Sequence, residues 1–218
     1  MQINRARFIT LEGIEGVGKS TQLKFIADYL QQAGIPLTIT REPGGTEIAE
    51  AIRALVLQSD FSPEIIIPEA ELLLFFAARA QHIHYVIKPA LQRGDWVLCD
   101  RFTETSYAYQ GGGRGIDLAF IRSLQLWVQQ DLKVDAVLLL DAPVDIALRR
   151  TQRRKTADRI EAEQQDFFMR VRASYLERAK QMADCYHMID ASRSLKDVQK
   201  QIKQVLDQLL ALWVKSDE

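Results

Sequence analysis

The segment Gly13-Ile14-Glu15-Gly16-Val17-Gly18-Lys19-Ser20 has the form Gly-x-x-x-x-Gly-Lys-Ser, a spacing suited to holding a polyphosphate. Its glycines let successive backbone N–H groups converge on an anion, Lys19 can reach the β- and γ-phosphates, and the Ser20 hydroxyl can ligate Mg²⁺. Thr21 follows at the start of the next helix and completes the set for a nucleoside triphosphate. Farther along, Asp100 closes the apolar run Trp96-Val97-Leu98-Cys99. A carboxylate in that position holds Mg²⁺, directly or through water, opposite a phosphate loop; it could equally cap the following helix. Arg101 comes next, and a guanidinium there can clamp an anion with two parallel hydrogen bonds. The two together suggest a phosphate acceptor held close to the triphosphate.

Between Arg149 and Arg159 lie six basic residues, Arg149, Arg150, Arg153, Arg154, Lys155 and Arg159. A solvated basic face, an RNA-binding patch and a lid over the triphosphate all fit that run. The lid is favoured by Glu15, because the phosphate loop itself then carries no cation besides Lys19 for the charge that develops in phosphoryl transfer. Phe75 and Arg79 stand four residues apart on one helix face, so an aromatic plane and a forked donor could engage one ligand, although plain core packing explains Phe75 as well. Tyr109-Gln110-Gly111-Gly112-Gly113-Arg114-Gly115 reads as polar groups on a flexible loop.

Composition narrows the field. The 218 residues suffice for one substantial core, and no linker, repeat or low-complexity tract divides residues 1–218 into more than one domain. A formal net charge of −1 gives no global attraction to nucleic acid or to an anionic membrane. No aromatics interleave with the basic run, which disfavours an RNA-binding role. Cys99 and Cys185 show no pairing or ligand spacing, and His82 and His84 point to different sides of a helix, so neither a disulfide nor a structural metal is expected. No stretch approaches the ~20 apolar residues of a membrane span. A cytoplasmic chain is the expectation.

The elements that must position these residues alternate along the chain. Strands are predicted at 8–11, 36–40, 95–100, 136–141 and 186–189, and helices at 20–33, 46–58, 68–93 and 195–213. Continuous apolar strands separated by helices imply a parallel sheet covered on both faces, an α/β fold. Ligands of such a sheet gather beyond the carboxyl ends of its strands. Glu12 to Ser20, Arg41-Glu42-Pro43-Gly44-Gly45 and Asp100-Arg101 all fall there.

In order, Glu12 to Ser20, Arg41-Glu42-Pro43-Gly44-Gly45-Thr46, Phe75-Phe76-Ala77-Ala78-Arg79, Asp100-Arg101-Phe102, Ala108-Tyr109-Gln110-Gly111-Gly112 and Asp158-Arg159-Ile160-Glu161 resemble the thymidylate kinases of bacterial type. The resemblance implies a P-loop NTPase fold of the nucleoside-monophosphate-kinase kind with a short lid at about 149–161. It further implies ATP- and Mg²⁺-dependent phosphorylation of dTMP to dTDP, in a homodimer.

Carried over position by position, Phe75 would stack on thymine, Arg79 would donate to its O4 and Ser106 would stand near N3. Tyr109 would lie against the sugar and crowd a 2′-hydroxyl, and Glu15 would approach the 3′-hydroxyl. Arg53 and Arg101 would hold the acceptor phosphate, Pro43 and Gln110 would complete the acceptor site, and Glu161 would serve the sugar or a metal-linked water. Of the family's two arrangements, the chain resembles the one with its basic residue in the lid. Arg150, Arg153 and Arg154 are available there, with Arg154 expected to reach the transferring phosphoryl and Arg153 as the alternative. Another pyrimidine nucleoside-monophosphate kinase or a deoxynucleoside kinase on the same scaffold is the rival reading.

Overall fold

The structure is a computed structural model and describes residues 5–58, 64–151 and 158–216. In chain order the elements are β1 (Phe8–Glu12), α1 (Lys19–Gln32), β2 (Leu37–Arg41), α2 (Glu47–Leu57), α3 (Pro68–His82), α4 (Lys88–Gln92), β3 (Trp96–Asp100), α5 (Thr103–Ser106), α6 (Leu118–Gln129), β4 (Ala136–Asp141), α7 (Val144–Thr151), α8 (Gln165–Gln181), β5 (Tyr186–Asp190) and α9 (Leu195–Ser216). Among the described residues the strands form one parallel sheet in the order β2-β3-β1-β4-β5. The apolar runs of β1, β3 and β4 account for their central places, since these strands are buried almost end to end. Thr38, Thr40 and His187 interrupt the apolar pattern of β2 and β5, which form the partly exposed edges.

Strand alternation sorts the core into two layers. Ile9, Leu11, Trp96, Leu98, Leu138 and Leu140 pack with Ile26 and Leu30 of α1 and Ile202 and Leu206 of α9. Phe8, Val97 and Cys99 point the other way, onto Ile83, Ile87 and Ala90. Each such side chain contributes about 1.5–3 kcal/mol on burial, so the sheet is held from both faces.

The sequence reading placed no helix at α6 or α8, and two segments that it did read take another form. The helix predicted over 68–93 is three abutting pieces, α3, a widened π-helical turn at Ile83–Ile87, and α4. Pro89 lacks an N–H and crowds the carbonyl of Tyr85 four residues earlier, and the widened turn lies against it. The expected flexible loop is also helical: Tyr107–Gly113 forms a second π-helical segment that continues α5 and packs on α8. Its glycines permit that approach. A Cβ on Gly112 would meet the Ser174 Cβ at 2.5 Å and the Arg170 carbonyl at 3.0 Å.

Candidate active site

The phosphate loop joins β1 to α1 beyond the carboxyl edge of the sheet. Gly13, Gly16 and Gly18 have φ of 138°, 78° and 94°, a region that L side chains rarely adopt. At the first two, space forbids a side chain as well, because a Cβ on Gly13 would lie 2.4 Å from the Leu140 carbonyl and one on Gly16 2.0 Å from that of Ala147. The loop is therefore wedged between β4 and α7, with Ile14 and Val17 buried as its anchors. Gly18 precedes α1, and its carbonyl accepts from the N–H groups of Thr21 and Gln22. Ser20 and Thr21 remain exposed at this helix start, the positive end of the helix dipole, which suits an anion. Lys19 Nζ folds back onto the carbonyls of Gly13 (3.1 Å) and Ile14 (2.9 Å). Burial, then the Arg101 charge, pushes its ammonium down to about 8.

The turn after β3 carries the next pair. Asp100 Oδ1 is buried with no hydrogen-bond partner among the described residues, an orphaned acceptor that suits a cation or its water. Arg101 has a φ of 67°, which is strained for a residue with a side chain. Its Nη2 donates to Glu15 Oε1 at 2.6 Å and to the Tyr109 hydroxyl at 3.3 Å, and its Nη1 to the Gly13 carbonyl at 3.0 Å. The Tyr109 hydroxyl in turn donates to Glu15 Oε2. Burial would raise the Glu15 carboxyl, but the charges of Arg101 and Lys19 hold it below the usual carboxylate range. Arg101 thus bonds the phosphate loop at Gly13 and Glu15 and also lines a cavity beside it.

That cavity is narrow, with a volume of about 70 Å³. Glu15, Pro43, Arg53, Phe75, Arg101, Tyr109 and Gln110 line it, all seven singled out by the sequence. Glu42, Leu57, Thr105, Asp158 and Ile160 complete the wall. Thr46 caps α2 through its hydroxyl, and Arg53, on the same helix, donates to the Pro43 carbonyl at 3.1 Å. Phe75 is buried against the core and also lines the cavity. Gln110 Nε2 donates to buried Glu71 at 2.7 Å, while Gln110 Oε1 is buried with no partner among the described residues.

Arg79 and Ser106 are one contact removed from the wall. Arg79 Nε donates to Glu42 Oε2 at 2.7 Å, Nη1 to Ser106 Oγ at 3.1 Å and Nη2 to the Phe102 carbonyl at 3.1 Å. His82 meets the other Glu42 oxygen at 2.9 Å. Removing one member of so buried an ionic cluster costs about 3–5 kcal/mol. Glu161 follows the lining residue Ile160, and its carboxylate accepts the Asp158 N–H at 3.4 Å. Arg150 sits on α7 with Nη1 on the Ala191 carbonyl at 2.9 Å. Arg153 and Arg154 lie outside the described residues.

Several contributors went unassigned by the sequence reading. Glu12 is fully buried and accepts from Phe102 N–H, Thr105 Oγ1 and Tyr175 OH. Asp158 Oδ1 caps the turn through Ile160 N–H and Glu161 N–H, and Arg159 ties this turn to α2 and to Glu71. The string Asp158-Arg159-Ile160-Glu161 was one available signal, since an Asp two and three residues before free N–H groups is a turn former.

A family model described as thymidylate kinase matches residues 11–202 of the chain. A thymidylate kinase of Chromohalobacter salexigens is 55% identical over 209 residues, covering 95% of this chain and 98% of that protein. One from Vesicomyosocius okutanii is 52% identical over 207 residues, covering 95% of this chain and all of its own length. The crystal structure of thymidylate kinase from Ehrlichia chaffeensis superposes with a TM-score of 0.75 at 32% identity, over 94% of this chain and 99% of that one. With the family model, these relatives and a matching parallel sheet that carries a phosphate loop, the chain belongs to the thymidylate kinase family.

Proposed function

We propose that this chain transfers the γ-phosphoryl group of ATP to dTMP, giving ADP and dTDP for dTTP synthesis. One observation carries the reading: Arg101 bonds the phosphate loop at Gly13 and also lines the acceptor cavity, so two phosphate-bearing ligands would meet at its guanidinium. A phosphate monoester is already anionic near neutral pH, and its oxygen attacks the γ-phosphorus in line without a strong general base or a covalent enzyme intermediate. Lys19 leaves the loop carbonyls for the β- and γ-phosphates, the loop N–H groups cradle the same oxygens, and Arg101 and a lid arginine stabilise the spreading charge. The lid role falls to Arg154, with Arg153 as its alternative and Arg150 beside them. Ser20 and Asp100 would hold Mg²⁺, which neutralises phosphate charge when bound; the orphaned Asp100 oxygen supports that assignment.

At the acceptor, Phe75 stacks on the base and Tyr109 closes the sugar side, excluding a 2′-hydroxyl. Glu15 takes the 3′-hydroxyl, Glu161 flanks the sugar, and Arg53 joins Arg101 at the phosphate. Arg79, backed by Glu42, offers only donors and so suits O4 of thymine, with Ser106 near N3. A homodimer is supported by exposed Leu73 and Phe120 on the adjoining helices α3 and α6, with Tyr85 and Trp127 also exposed nearby in sequence. No helix of the described residues is long and apolar enough to cross a membrane, and a cytoplasmic location is part of the proposal.

An ADP-release assay with dTMP, dUMP, dCMP, dGMP and thymidine as acceptors tests the reading. A donor facing the amino group of cytosine costs about 1–3 kcal/mol, so dCMP should fall roughly 5- to 150-fold below dTMP, with dUMP intermediate and thymidine and dGMP poor. Equal turnover of dCMP or dGMP would replace this reading with a broader pyrimidine or nucleoside-monophosphate kinase, and thymidine turnover with a deoxynucleoside kinase.

A further inference from the structure

Glu12 is a buried carboxylate to which the phosphoryl-transfer chemistry assigns no role. It ends β1, is fully buried and is not among the residues that line the cavity. Its surroundings lead to Arg101. The Arg101 N–H makes the last bond of the β1–β3 ladder, to the Leu11 carbonyl at 3.0 Å. There the chain turns through φ of 67°, and the next N–H, that of Phe102, donates to Glu12 Oε1 at 2.7 Å. The other oxygen, Oε2, is 2.7 Å from Thr105 Oγ1 and 2.9 Å from Tyr175 OH, and these hydroxyls are 2.8 Å from each other. Both stand beside Arg101 Nη1, at 3.3 and 3.5 Å.

Above about pH 7 Glu12 is ionised and accepts only, and two hydroxyl protons then serve the three contacts of this cluster. The protons are therefore drawn toward Glu12 or passed between the hydroxyls, and lone pairs on both oxygens are left for the guanidinium. The same carboxylate fixes the strained turn through the backbone of residue 102 and the side chain of residue 101 through two relays.

We propose that Glu12 is a positioning residue for phosphoryl transfer, holding Arg101 in the left-handed backbone conformation and aiming its guanidinium between the donor and acceptor sites. The proposal rests on the reading that Arg101 stabilises the transferring phosphoryl group, and its test keeps the two apart. Steady-state kinetics of Glu12→Gln, Tyr175→Phe, Arg101→Ala and the two double variants with Arg101→Ala are compared, with circular dichroism melts as the check on folding. Glu12→Gln keeps an acceptor for Phe102 N–H but turns one relay contact around, because its amide donates.

We expect kcat to fall about tenfold or more in Glu12→Gln with KM for ATP within about twofold, and a smaller loss of the same kind in Tyr175→Phe. In the Arg101→Ala background neither change should lower kcat further, because groups acting as one unit are not additive. A purely structural role would lower activity by the same factor in both backgrounds, and that additivity would overturn the proposal. A wild-type kcat in Glu12→Gln would overturn it as well. If Arg101→Ala alone leaves kcat unchanged, the reading of Arg101 fails instead. Should Glu12→Gln not fold, Tyr175→Phe with and without Arg101→Ala decides the same question, because it leaves Glu12 in place and cuts one relay.

Discussion

Burial pushes the Glu12 carboxyl up to about 7, against the lowering pull of the Thr105 hydrogen bond. The sign of the consequence follows from linkage. Below the ordinary glutamate value both folded and unfolded chains carry the proton. Between about 4.5 and 7 the unfolded chain releases it while the folded chain keeps it, so stability falls as pH rises, by on the order of 3 kcal/mol in all. Urea midpoints of wild type and Glu12→Gln, measured from pH 4.5 to 7.5, should therefore diverge, with wild type losing ground toward neutrality. Parallel curves would show that Glu12 titrates at its ordinary value. At this scale the sequence revealed what is contiguous. The phosphate loop spells its chemistry in eight adjacent residues, whereas Glu12 meets Thr105 and Tyr175 across separations of 93 and 163 positions. A bond closed only by folding leaves no local spacing to read.

The acceptor wall is made of segments that fix one another. Glu71 on α3 accepts from Gln110 in the π-helical segment, from Arg114 just after it and from Arg159 in the turn that Asp158 caps. That segment was legible as chemistry and illegible as structure. Three consecutive glycines oppose a helix by propensity, but here the lack of side chains lets the helix seat on α8, and packing overrides propensity. Gly112→Ala should thus destabilise the fold by about 1–3 kcal/mol, since the added methyl meets the α8 backbone. It should also raise KM for dTMP, because Tyr109 and Gln110 ride on the same turn. A lower urea midpoint with unchanged KM would separate the helix from the site it carries. Pro89 offered a sequence-level cue to the break in the long helix, and the widened turn before it is what that proline allows.

For the molecule as a whole, alternating apolar runs and helices were enough to foretell a parallel sheet with both faces covered. The strand order was not, because the order β2-β3-β1-β4-β5 depends on which edges meet after long crossovers. Nor do helix periods show which apolar residues stay uncovered. Leu73, Tyr85, Phe120 and Trp127 are between 57% and 77% exposed, on or beside helices that otherwise pack well. A two-fold homodimer that covers α3 and α6 is the expected state in solution. Sedimentation at micromolar concentration should give twice the chain mass, and Phe120→Glu with Trp127→Glu should give the chain mass. A monomeric wild type would leave that surface for something else.

Arg101 meets its substrate already engaged, with Glu15, the Gly13 carbonyl and the Tyr109 hydroxyl as standing partners. For an arriving phosphate, capture at this end is then an exchange reaction in which one set of ionic hydrogen bonds replaces another. On the proposed roles the net gain at Arg101 would be the difference of two similar energies, and much of the affinity would then fall to the base and to Arg53. Thymidine should accordingly bind within about tenfold of dTMP by calorimetry, though it brings no phosphate oxygen to attack; a preference for dTMP beyond about a hundredfold would mean that the standing ion pair does not compete. If that calorimetry holds, the base would serve for recognition and the phosphate would be tested only at turnover, and the bare nucleoside would compete for the site.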